Sequence, residues 1–133
     1  MPDRYYDVAE ANSQIAELTT LFERVLVLRT QLKRLVPGGP SGGHKPRSED
    51  RHVVRALMAT LDDTTEQIAA LGCVIKDVEI GLVDWPARHQ GRDIWLCWRY
   101  GEAEVGFWHE VDAGYAGRRP VAELTDPREA KTA

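Results

Sequence analysis

The stretch Ile94-Trp-Leu-Cys-Trp-Arg-Tyr-Gly-Glu-Ala-Glu-Val-Gly-Phe-Trp-His109 decides the fold. Ile94, Leu96 and Trp98 alternate with Trp95, Cys97 and Arg99, and Val105 and Phe107 alternate with Gly106 and Trp108. A period of two marks a strand with one face buried. Tyr100-Gly-Glu-Ala103, between the two runs, is a tight-turn signal. With Gly101 and Glu102 at the centre of the turn, Trp98 faces Val105, Leu96 faces Phe107 and Ile94 faces His109 on one apolar face. The opposite face then carries Trp95 across from Trp108, Cys97 across from Gly106, and Arg99 across from Glu104. Upstream, Val78, Ile80 and Leu82 alternate with Glu79, Gly81 and Val83 until Pro86. The spacing predicts three strands, about 74–85, 93–100 and 104–110, joined as an antiparallel meander.

Before Gly72 the period is helical. Ala11, Ile15, Leu18, Phe22, Val25, Leu28, Leu32 and Leu35 recur in steps of three and four, the stripe of an amphipathic helix. Asp7 followed by Glu10 is a capping box that starts it, and Pro37-Gly38 stops it. Val54, Leu57, Leu61, Thr64, Ile68 and Leu71 form a second seam, with Gly72 as its left-handed terminator. Helices over about 8–36 and 49–71, with a flexible glycine-proline connector at 37–47, predict an antiparallel helical hairpin. The expected fold is therefore α+β, one domain over residues 1–121, with a loose charged tail at 122–133.

Composition narrows the function. The chain has 133 residues, 43% of them hydrophobic, and a net charge of −4. A mildly acidic chain argues against nucleic-acid binding through phosphate neutralisation. No run approaches the roughly 20 apolar residues of a membrane helix, and the first residues lack a signal-peptide pattern. Two cysteines make no disulfide scaffold, so a reduced, cytoplasmic protein is expected. No cofactor is specified.

In the expected meander, Asp84 and His109 meet at one sheet edge beside Asp93, with Glu110 and Asp112 following. A histidine among carboxylates suits a divalent metal, with His109 and Asp84 as ligands, or general-base chemistry. It equally suits an ion pair closing a hairpin. Arg118 and Arg119, in a glycine-bearing loop, suit an anion or an ion pair with that acidic cluster. Trp95 and Trp108 form an aromatic platform for a subunit, a partner or a ligand, unless the loop at 111–121 covers it. Cys97 reads as a small buried hydrophobe.

Tyr5-Tyr-Asp-Val-Ala-Glu-Ala-Asn12, Gly81-Leu-Val-Asp-Trp-Pro86, Leu96-Cys-Trp-Arg-Tyr-Gly-Glu102 and Trp108-His-Glu-Val-Asp-Ala-Gly-Tyr-Ala-Gly-Arg-118 together resemble a family of small bacterial and archaeal proteins catalogued as a domain of unknown function. Some of its members carry the automatic label division initiation protein. The resemblance covers roughly residues 4–121. It implies a cytosolic protein with a helical half and a strand-rich half, and brings no activity, cofactor or catalytic residue. The connector at 37–46 departs from it, since a more helical connection is expected there.

Each predicted helix spans about 30–40 Å at 1.5 Å per residue, whereas a six-residue strand covers about 20 Å. A small sheet leaves part of the helical stripe bare, which favours a homodimer. The function favoured by the residues is a non-enzymatic oligomeric interaction module. The alternative is a small ligand- or divalent-metal-binding protein, with hydrolase or lyase chemistry in reach, centred on His109.

Overall fold

A computed structural model describes residues 4–37 and 45–124. Most of the predicted connector and of the predicted tail lies outside the described residues. The helices are α1 (Val8–Asn12), α2 (Ile15–Leu35) and α3 (Arg51–Ala70), the last entered through a 3-10 turn at Ser48–Asp50. The strands are β1 (Val74–Asp77), β2 (Leu82–His89), β3 (Arg92–Arg99), β4 (Phe107–Glu110) and β5 (Arg119–Pro120). They form one antiparallel sheet in the order β1-β2-β3-β4-β5. The α+β class is as expected, with five strands in place of three.

The chain start is set by the capping box. Asp7 accepts from the Glu10 amide at 2.8 Å, and Glu10 reaches back to the Asp7 amide at 3.1 Å. The single helix expected over 8–36 is instead broken at Ser13-Gln14. Gln14 is the reason. Its side-chain amide donates to the Leu71 carbonyl at 2.8 Å and accepts from the Trp85 indole at 2.7 Å, so it ties the break to both the hairpin and the sheet. Gly72 ends α3 with φ +97°, and a Cβ there would lie 1.9 Å from the Tyr6 hydroxyl. Only glycine meets both demands.

The helices run antiparallel. Leu32 and Val36 at the end of α2 pack on Val54 near the start of α3. At the other end, Leu18, Phe22 and Val25 share the main core with Ile68 and with Val83, Trp85, Leu96 and Trp98 of the sheet. None of the helices among the described residues is long and apolar enough to cross a membrane.

Two local features overturn the predicted strands. The first run is two strands, because Asp77 turns the chain by accepting from the Glu79 amide at 2.9 Å, and Gly81 adopts φ +74°. Pro86 does not end its strand but lies within β2, opposite Trp95. Its carbonyl accepts from the Tyr6 amide at 2.8 Å. In an extended chain a residue's N and C=O point to the same side, so the proline nitrogen faces this edge and removes no bond from the β2–β3 ladder.

The third correction is one of register. Leu96 faces Trp108 and Trp95 faces His109, one residue away from the expected pairing. The connection is a seven-residue loop at 100–106, not a two-residue turn. The Trp98 indole donates to the Glu102 carbonyl at 2.8 Å, and the Val105 amide donates to Asn12 Oδ1 at 2.6 Å. Once Asn12 has taken that amide, Val105 leaves the ladder. Every side chain of β4 then points opposite to expectation.

Candidate functional site

The helix-facing side of the sheet holds Val83, Trp85, Ala87, Ile94, Leu96, Trp98 and Trp108, all buried. On the other side, the 3-10 helix Tyr115–Gly117 and Arg118 lie against Arg99 and Phe107, and the centre is buried too. Asp84 of β2 lies across from Cys97 of β3, and His109 of β4 follows one strand further. Asp84 and Cys97 are 0% exposed and His109 is 3% exposed. One donor atom from each of the three lies within 4.8 Å of the others.

The hairpin between β2 and β3 makes this meeting possible. Gln90 (φ 52°) and Gly91 (φ 78°) form its two-residue turn with both residues left-handed, the geometry that matches strand twist. That turn fixes Asp84 opposite Cys97. The one-residue shift of β4 then brings His109 to the same face. His109 Nε2 is 2.7 Å from Asp84 Oδ2, and His109 Nδ1 is 2.8 Å from the Glu110 carbonyl. Asp84 Oδ1 is buried with no hydrogen-bond partner.

Long side chains roof the cluster. The Lys76 ammonium lies 3.8 Å from the centre of the Trp95 ring, and the Arg118 guanidinium lies 4.0 Å from that of Phe107. Trp95 is the register partner of His109, and Phe107 that of Cys97. Arg118 also pairs with Glu102 at 2.7 Å. Burial pushes the Cys97 thiol up to about 12, Asp84 pushes it further the same way, and Arg118 opposes them. At His109, burial and Lys76 work against the imidazolium, but Asp84 and the Glu110 carbonyl outweigh them and hold its pKa above the ordinary value. The thiol is thus protonated at neutral pH, because Arg118 does not offset burial and Asp84, and as a thiol it is no nucleophile.

The other predicted site residues separate. Glu110 is held by a forked pair from Arg92 at 2.8 and 3.1 Å. Asp93 takes Tyr5 at 3.0 Å and Arg88 at 3.3 Å. Asp112 is exposed in the turn after β4. Arg119 pairs with Glu123 at 2.6 Å. Trp108 is 2% exposed in the main core, so the expected Trp95/Trp108 platform does not form. The register shift places the two rings on opposite faces of the sheet. Cys97 is the member of the cluster that sequence reasoning passed over. The available signal was the dipeptide Gln90-Gly91, because centring a tight turn on it pairs positions 84 and 97.

An antiparallel sheet backed by a helical hairpin, with a buried acid–thiol–imidazole cluster on the face away from that hairpin, defines the class of protein. The family described as "Uncharacterized conserved protein (DUF2203)" matches residues 4–121, and the chain belongs to this family. No curated protein and no solved structure matches it.

Proposed function

We propose that the protein binds a divalent transition metal, of the zinc type, at Asp84, Cys97 and His109. The observation that carries this reading is the hydrogen-bond arithmetic of His109. The Glu110 carbonyl can only accept, so Nδ1 is the donor there. Nε2 lies 2.7 Å from an Asp84 carboxylate oxygen, so one proton is shared between them. A metal ion bound by both groups takes the place of that proton. Asp84 Oδ1 and the Cys97 thiol supply further donors at the same place. One nitrogen, one sulfur and one oxygen suit zinc better than the all-oxygen cations. The Glu110 carbonyl on Nδ1 is the outer contact that fixes the imidazole for a metal on Nε2. Binding releases the thiol and Nε2 protons, so affinity rises with pH. Three protein ligands leave one position open.

Metal-free full-length protein titrated with Co²⁺ tests this reading. A thiolate-to-cobalt charge-transfer band is expected in the wild type and in Cys73→Ala, and not in Cys97→Ala. Its absence from the wild type, or its survival in folded Cys97→Ala, overturns the reading.

Self-association is a second reading. It is supported by the far end of the hairpin, where Leu32, Val36 and Val54 pack helix on helix without any strand. Val27 on α2 and Val53 on α3 are about half exposed, at 57% and 47%. Sedimentation giving a dimer for the wild type and a monomer for Val53→Glu is expected. A monomeric wild type at micromolar concentration removes it.

A further inference from the structure

The roof over the cluster has an electrostatic surplus. With a divalent ion bound, thiolate, carboxylate and neutral imidazole balance its two charges exactly to zero. Lys76 and Arg118 then remain beside a neutral centre. Glu102 compensates Arg118, but Lys76 has no carboxylate partner among the described residues. The Arg118 side chain is only 10% exposed, and its Nε–H is buried with no hydrogen-bond partner. A buried guanidinium donor left unpaired costs free energy. It lies against Phe107, the cross-strand partner of Cys97, and acts directly on the Cys97 thiol. One unused buried cationic donor thus lies beside the metal-binding side chains, and the exposed Lys76 ammonium over Trp95 adds positive charge to the same face.

We propose that the open position of the Asp84–Cys97–His109 metal site takes the carboxylate of a small organic acid, docked by Arg118 and drawn in by Lys76. This rests on the metal-binding reading above. A carboxylate offers two oxygens, one for the metal and one to accept from Arg118 Nε–H, and its charge answers that of Lys76. Arg118 is here a binding residue whose partner Glu102 holds the guanidinium in place.

Acetate titrated into the Co²⁺-loaded full chain is the test, read as a shift of the cobalt bands. A saturable shift is expected in the wild type, weakened by about tenfold or more in Arg118→Gln, the effect of one charge-assisted hydrogen bond. Arg118→Lys serves if Arg118→Gln does not fold, and the same weakening is expected. Cobalt bands that form but ignore acetate overturn this inference while leaving the metal reading intact. An equal response in a folded Arg118 variant that binds cobalt, or an equal response of the wild type to chloride, also overturns it. Failure of the bands to form at all overturns both.

Discussion

On the helix side of the sheet, Trp85, Leu96 and Trp98 are wholly enclosed, and the one polar atom of Trp85 is taken by Gln14. Through the same strands, one residue along in each, Asp84 and Cys97 are equally enclosed, yet Asp84 keeps an oxygen without a partner. Both faces exclude water. One uses that exclusion to gain hydrophobic stabilisation, and the other keeps charge in a place of low dielectric, where its interactions are strong. The two cysteines repeat the contrast. Cys73 and Cys97 are both pushed up to about 12, foremost by burial. Cys73 donates to the Ile68 carbonyl at 3.4 Å and has no titratable neighbour acting on it, whereas Cys97 lies between Asp84 and Arg118.

Breaking the helix-side face has the largest expected effect. Trp85→Ala empties the centre of the core and should lower unfolding free energy by about 3–5 kcal/mol in urea denaturation. A loss under 1 kcal/mol would show that the two faces are not energetically distinct. Next comes the link that orders the outer face. Asn12→Ala leaves the Val105 amide without its acceptor and should cost about 1–3 kcal/mol. If Asn12 sets the register, the variant's His109 also loses Asp84, and its imidazole titration moves down toward the ordinary value. An unchanged His109 titration by NMR would show that the register has another cause.

The smallest effect sharpens the outer face alone. In metal-free protein, the raised His109 pKa means that its contribution to stability is complete below the ordinary value of 6.5. That contribution is lost as pH rises through the raised value. Urea midpoints should therefore fall across that window in the wild type, with a flatter profile in His109→Gln. Parallel profiles would mean that His109 titrates alike in the folded and unfolded chains.

Much of the fold is legible in local chemistry. Asp7 with Glu10 marks the true start of the first helix, and Gly72 marks the change from a period near 3.6 to a period of two. Pro86 misleads because a missing N–H ends a strand only when that N–H would have entered a ladder. Here it faces the Tyr6 edge. The β3–β4 register misleads for a different reason. The loop's Val105 amide is taken by Asn12, 93 residues away in the chain, and no pattern within the hairpin reveals that bond. The site was half legible. Asp84 and His109 stand out by chemistry, but the expected sheet edge was wrong. Cys97 becomes significant only when the turn at Gln90-Gly91 fixes the register.

The amino-terminal arm has a consequence for how the molecule is made. Tyr6 bonds Pro86, Asn12 bonds Val105, and Gln14 bonds both Leu71 and Trp85. These bonds close long loops, the kind whose formation slows folding. Residues 6–14 cannot find these places until residues as far along as Val105 are available to them. Among the described residues, 6–14 are thus late to lock, and until they do the Pro86 edge of β2 stays open.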